Sequence, residues 1–255
     1  MNPHRLEETN LAEIRRHPPV KVAVLPLGAT EPHNLHLPYG TDTFQVRILA
    51  ELACRKARRE GAAVIELPAI PYGTESNLMR FPLAMNLQPS TLGRVVADLV
   101  DSLAAHGVPH CLLLNGHGGN DLKWLLRELT GRTPVNLFLC HWWKVGLDEA
   151  KRHFEDPGDH AGALETSMGL AHFPELVFLD QADDGATAQT RFTAINQGWV
   201  EITRPWHWLT TNSGAGNPRE ASADAGRAIT ERVASRVADF LIHLASEPVD
   251  ERFPY

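Results

Sequence analysis

The sequence predicts an α/β fold, with a mostly parallel central sheet covered by helices on both faces, hence three αβα layers. Three observations predict it. Short, β-branched apolar runs recur along the chain and alternate with longer segments of helical apolar spacing. Several of these runs lead into glycine- or proline-bearing turns. Alternating strands and helices join most simply as right-handed βαβ units, which put helices on both faces of a parallel sheet.

The elements follow in chain order. KVAVLPLG (residues 21–28) is short, β-branched and closed by glycine, and reads as a buried strand. TFQVRILAELACRKARREG (43–61) has helical apolar spacing, a basic last turn and a terminal glycine. AAVIELPAI (62–70) reads as a second strand, and PSTLGRVVADLVDSLAAHG (89–107) as a helix with Ser90 or Thr91 as its cap. PHCLLLNGHGGN places a strand over 109–114 and a glycine turn after it. NDLKWLLRELTGR is the next helix and VNLFLCHWW (135–143) the fourth strand. AGALETSMGLAHF (161–173) has helical character, and 217–245 holds a long terminal helix. Residues 180–211 are mixed and predict no clear element.

The chain has 255 residues, and neither an internal repeat nor a linker divides it, so a single domain over 1–255 is expected. It is 43% hydrophobic and 22% charged, an ordinary balance for a soluble globular protein. A formal net charge of −7 offers no basic footprint for phosphates, which argues against nucleic acid as a partner. No stretch approaches the length of a bilayer-spanning helix, and MNPHRLEETNLAEIRRHPP lacks the apolar core of a signal peptide. A cytoplasmic protein with no membrane partner is therefore expected. Cys54, Cys111 and Cys140 are too few and too scattered for a disulfide framework.

Chemistry concentrates in three segments. LPLGATEPHNLHLPYGTD (25–42) gathers Glu31, His33, His36 and Asp42 among prolines and glycines. In an extended segment Glu31 and His33, two apart, point the same way, and a turn in HLPYGT can return Asp42 to them. Carboxylates and imidazoles suit divalent Zn, Mn or Fe. The same residues also fit a polar loop in which Asp42 merely caps the next helix. NGHGGN (115–120) places His117 at a strand exit among glycines that permit close backbone approach, with helix N–H groups behind it able to face an oxyanion. An ordinary strand-to-helix turn reads alike. DHAGALETS (159–167) carries His160 and Glu165, which either point into a cleft or serve as a surface histidine and a helix-dipole carboxylate. The first two segments each follow a predicted strand directly, where such sheets bind ligands.

Taken together, the three segments resemble the creatininase (creatinine amidohydrolase) family. Its Glu-x-His signature, followed by a stretch ending in Thr-Asp, stands here as EPHNLHLPYGTD. Its Asn-Gly-His turn stands as NGHGGN, and its His-Ala-Gly-x-x-Glu-Thr-Ser motif as HAGALETS. GNPREASADAG is similar to the family's Gly-x-Pro-x-x-Ala-x-x-x-x-Gly element, so the likeness spans about residues 24–228.

The resemblance implies a metal-dependent hydrolase with two divalent ions per chain, Zn, Mn or Fe, cleaving an amide or cyclic amide C–N bond of a small polar molecule through a metal-bridging hydroxide. Motif by motif, Glu31 and His117 would bind one metal, His33 the other, and Asp42 would bridge them. His160 would transfer protons, since imidazole titrates near working pH. Creatininase supplies a glutamate two residues after the turn histidine; here that position is Gly119. Glu165 is the candidate replacement ligand for the second metal. Two dications then balance Glu31, Asp42, Glu165 and a hydroxide, as a poorly solvated site requires. His36 is expected to support the ligands rather than join them. The resemblance further implies a homo-oligomer, often a hexamer.

The likeness breaks where substrate should be read. Relatives often carry a histidine-bearing YGxS segment followed by Phe-Pro-Gly-Thr; here stands PYGTESNLMRFPLAMNL (71–87). Glu75 and Asn77 replace the usual serine and histidine, which argues against creatinine as the substrate. Glu75, Asn77 and the backbones of Gly118 and Gly119 are expected to face the substrate, with Arg80 as a further hydrogen-bonding group. Loop-fixing roles are the alternative for these side chains. HWW (141–143) and RPWHWLT (204–210) offer tryptophans for a ligand wall or for packing. The family also includes a formamide-cleaving enzyme, a peptide-trimming member and a keto-inositol hydrolase. Ring opening of a keto-inositol or sugar derivative is thus a second expectation, and a non-catalytic protein of the same fold a third.

Overall fold

The computed structural model describes residues 4–255. Four strands, β1 (Val22–Leu27), β2 (Val64–Glu66), β3 (His110–Asn115) and β4 (Asn136–His141), form a parallel sheet in the order β2-β1-β3-β4. β1 and β3 are central and buried at every residue, as strands covered on both faces must be. Their register runs from Val22↔His110 to Leu27↔Asn115, so their carboxyl ends lie level.

The expected 62–70 strand shrinks to three residues because Pro68 has no N–H with which to continue a ladder. The chain rejoins β1 at Ile70, whose N–H donates to the Pro26 carbonyl at 3.0 Å. Pro26 is tolerated inside β1 for a related reason. Its carbonyl points to the β2 side, so its missing N–H would point there too, and β2 has already ended opposite Val24.

Alternate side chains of the central strands feed two cores. Val22, Val24, Leu112 and Leu114 pack with Leu49, Met168, Ile229 and Leu241 of the helices Thr41–Arg59, Ala163–His172 and Ala223–Ser246. Ala23, Leu25, Cys111 and Leu113 pack with Leu92, Val96 and Leu125 of the helices Pro89–Ala105 and Lys123–Leu129. The sheet thus lies between two helical layers, the three-layer αβα architecture the sequence predicts. Full burial of each such leucine or valine contributes roughly 1.5–3 kcal/mol, which makes the sheet a stiff platform for the loops at its edge.

Residues 180–211 hold only the 3-10 turn Leu179–Gln181 at their start and the short helices Thr193–Asn196 and Trp206–Leu209. Among the described residues, no helix is long and apolar enough to cross a membrane.

Candidate metal centre

Glu31 and His33 lie on the loop leaving β1, and His117 on the loop leaving β3. Because β1 and β3 are neighbours, the two loops emerge side by side beyond the carboxyl ends of the sheet. Asp42 lies in the first turn of the Thr41–Arg59 helix. Gly40 holds the N-cap position there and no side chain caps the helix, so the Asp42 carboxylate is free to face the loops. His160 precedes the Ala163–His172 helix, and Glu165 sits in its first turn. Both helix-start carboxylates meet the positive end of a macrodipole.

The donor atoms converge. His117 Nδ1 lies 2.8 Å from Glu31 Oε1 and 3.0 Å from Asp42 Oδ2. His33 Nε2 lies 3.0 Å from Asp42 Oδ1 and 3.9 Å from Glu165 Oε2. Asp42 therefore turns one oxygen to each of two donor sets: Glu31, Asp42 and His117, and His33, Asp42 and Glu165. Glu31, His33 and His160 form a third set, with His160 Nδ1 3.8 Å from Glu31 Oε1. His160 Nε2 donates to the Pro32 carbonyl at 2.9 Å, which leaves the Nδ1 lone pair facing the cluster.

These groups fit divalent cations. Both Glu31 oxygens and Asp42 Oδ2 are buried without a hydrogen bond, despite the close approach of His117. Unpaired carboxylate oxygens out of water are costly unless a cation meets them. Carboxylate oxygen with imidazole nitrogen is a donor mixture that Zn, Mn and Fe accept.

The electrostatics agree. Burial pushes Glu31 well above the usual carboxylate range against the pull of His117, and pushes Glu165 up to about 7. Burial works the same way on Asp42, but His33 and His117 overcome it and hold this carboxyl far below its ordinary value. Burial disfavours the charged form of His33, yet Asp42, Glu165 and Glu31 raise it to about 10. Burial, reinforced by the charge on His33, lowers His160 to about 3 and keeps it neutral. Protons on His33 and His117 thus offset the carboxylates, and cation binding must displace them.

Local backbone chemistry explains the convergence. Ala161 adopts φ 51°, a left-handed conformation uncommon for a residue with a Cβ. Its N–H donates to Glu165 Oε2 at 2.6 Å, a variant of the capping-box contact that turns the carboxylate back toward His160. The GNPREASADAG motif begins at Gly216, directly after Ala215, and holds this loop. Ala215 and His160 exchange backbone hydrogen bonds of 2.8 and 2.9 Å. A Cβ on Gly216 would lie 2.4 Å from Gly158 Cα, so the two backbones approach only as glycines. Asn120 ties the first two motifs together, donating to the Gly28 carbonyl at 3.2 Å. At Gly119 a Cβ would lie 2.3 Å from both His117 Nε2 and the Thr74 carbonyl, so a glutamate there would have to displace the imidazole.

A cavity of about 590 Å³ opens over the cluster. Asn77, Gly118 and Gly119 line it, with Trp142, Trp143 and Trp206. Trp206 meets His160 edge-on, with ring centroids 5.0 Å apart. Glu75 requires a correction. The sequence places it beside Asn77 as a substrate contact, but it is fully buried on the far side of His117, its Oε1 3.0 Å from Nε2. A carboxylate sealed behind an imidazole addresses the ring. His36 is also buried and bonds Thr166 Oγ1 at 2.8 Å. Burial, then the charge on His33, lowers it to about 4. Two cavity residues escaped the sequence reading: Arg204 pairs with Asp159 at 2.6 Å and stacks over Trp206. Both come from segments without periodicity, and no spacing signal links them.

The layered parallel sheet and the carboxylate–imidazole cluster at its carboxyl edge have the form of a metal-dependent hydrolase. The Creatininase family profile, described as creatinine amidohydrolase, matches residues 7–241. The chain belongs to the creatininase family, a family of metal-dependent hydrolases. It is 32% identical over 184 residues to a creatinine amidohydrolase from Pseudomonas putida, covering 64% of this chain and 68% of that one. It is 28% identical over 213 residues to a mycofactocin precursor peptide peptidase from Mycobacterium tuberculosis, covering 81% of this chain and 78% of the other. A crystal structure of a candidate creatinine amidohydrolase from Bacteroides fragilis superposes with a TM-score of 0.90 at 31% identity, covering 98% of this chain and 100% of that one.

Proposed function

We propose that this chain is a dinuclear metal-dependent amidohydrolase cleaving an amide or cyclic amide C–N bond of a small polar molecule. The observation that carries this reading is the division of Asp42, whose Oδ1 lies 3.0 Å from His33 Nε2 and whose Oδ2 lies 3.0 Å from His117 Nδ1. In this reading Glu31, Asp42 and His117 hold one ion, and His33, Asp42 and Glu165 hold the other, with Zn, Mn and Fe all suited to the donors. When bound, such a metal pair supplies hydroxide near neutral pH and polarises the bond under attack.

The chain's own residues do the rest. The Pro32 carbonyl fixes the His160 ring, neutral at rest, so that Nδ1 faces the cavity as an acceptor. There it takes the proton of the attacking hydroxide in passing and hands it to the leaving nitrogen. Asn77 and the Gly118–Gly119 backbone orient the substrate, and the tryptophans restrict water along the wall. A cavity of about 590 Å³ suits a small molecule.

The remaining expectations stand on the same footing. The family match over 7–241 supports one domain spanning 1–255. The net charge of −7 supports a protein without nucleic acid partners, and a cytoplasmic location remains part of the proposal. A homo-oligomer, such as a hexamer, is proposed from the family likeness alone, and native mass spectrometry reads it directly.

A panel of creatinine, formamides, lactams and keto-inositols on protein loaded with Zn, Mn or Fe tests the reaction. Turnover of an amide supports the proposal. Turnover of a keto-inositol alone redirects it to ring opening of a cyclitol. Protein that holds two metals and turns over none of them contradicts it.

A further inference from the structure

Glu75 is a carboxylate that none of the three donor sets uses. It is fully buried, and its Oε1 lies 3.0 Å from His117 Nε2, across the ring from the Nδ1 that faces Glu31 and Asp42. Neither Glu75 oxygen has a hydrogen-bond partner among the described residues, so its contact with Nε2 is that of an ion pair. The Thr74 carbonyl also approaches Nε2, at 3.2 Å. Carbonyl and carboxylate oxygens only accept, so Nε2 carries a proton; Nδ1 also faces acceptors, and it is the proton there that a cation held by Glu31 and Asp42 would replace.

The surroundings hold the carboxylate in place. The Glu75 N–H donates to Asn86 Oδ1 at 2.8 Å, and the Thr74 N–H to Asn120 Oδ1 at 3.1 Å. A Cβ on Gly73 would lie 3.1 Å from Glu75 Oε1 and 2.8 Å from Asn120 Oδ1, so glycine at 73 leaves room for both groups.

We propose that Glu75 is a positioning residue for the ion held by Glu31, Asp42 and His117. Its carboxylate fixes the tautomer and ring angle of His117 and strengthens Nδ1 as a donor. Carboxylate–imidazole–metal chains of this kind are worth about 10–100-fold in metal affinity. The inference rests on the dinuclear reading, and it assigns the charge at position 75 to the metal centre rather than to the substrate.

The test is competition of Zn²⁺ against a chromophoric chelator, with thermal unfolding recorded alongside. It compares the wild type, Glu75→Gln, Glu75→Met, Glu165→Gln and the Glu75→Gln/Glu165→Gln double variant. Glu75→Gln keeps an acceptor without charge and should weaken one of two Zn²⁺ constants about 10-fold; Glu75→Met removes the acceptor and should weaken it up to about 100-fold. The other constant should stay at its wild-type value. Glu165→Gln should lower that other constant instead, and the double variant should lower both. The Glu75 assignment is overturned if its variants change neither constant, lower both together, or lower the constant that Glu165→Gln lowers. Wild-type protein that takes up no Zn²⁺ overturns the dinuclear reading as well.

Discussion

Glu165 Oε2 stands 3.9 Å from His33 Nε2, although one residue opens a late helix and the other lies on the loop leaving the first strand. The Ala161 N–H holds the carboxylate there at 2.6 Å. This places a carboxylate beside His33 in a chain whose glycine at 119 supplies no side-chain donor.

Glu165→Gln should therefore weaken the ion shared with His33 and leave the ion of Glu31 and His117 largely in place. Metal analysis after dialysis should find about one equivalent per chain where the wild type holds about two. Retention of both would remove Glu165 from the ligand set.

Asp42→Ala should lose both ions and essentially all activity, because one carboxylate serves both donor sets. Asp42→Asn keeps the shape but removes the charge, and should fail as well. Asp42→Ala protein that holds two metals with normal turnover would show that Asp42 does not bridge.

Replacing His160 by alanine should leave the metal content nearly intact and lower kcat about 10²–10⁴-fold, the scale of a general acid–base group. His160 Nδ1 also lies 3.8 Å from Glu31 Oε1, within a third donor set. Loss of a metal ion from this variant would make His160 a ligand.

A prediction away from the centre concerns Glu66 at the end of β2. Burial, only partly offset by Arg5, raises its carboxyl from 4.5 to about 7. A raised folded-state value favours folding at low pH, and that contribution is lost as pH rises from the unfolded value through the folded one. Glu66→Gln should therefore match the wild type in Tm near about pH 4 and gain on it toward about pH 8. A Tm difference that stays flat or reverses over that range would contradict the assignment.

The sheet was legible because β1 and β3 are apolar at nearly every position, a pattern that only a doubly covered strand needs. The 62–70 strand ran too long because an apolar run conceals the missing donor at Pro68. Glu31, His33, Asp42, His117, His160 and Glu165 could be gathered from the order of three motifs, and their side chains do lie together. Spacing could not separate Asp42 as cap from Asp42 as donor, since both roles place a carboxylate in the first helical turn. The direction of Glu75 was hidden for a different reason. Its segment has no regular period, so adjacency to Asn77 said nothing about which side of His117 it would occupy. The left-handed backbones at Asn34 and Ala161 carry no glycine signal either.

The most direct test of a dinuclear centre bridged by Asp42 is anomalous diffraction at the metal edge from crystals of the Zn- or Mn-loaded protein. The expected result is two anomalous peaks per chain with Asp42 between them, Glu31 and His117 on one, His33 and Glu165 on the other. A single peak, or a second ion held by other residues while Glu165 points away, would contradict it.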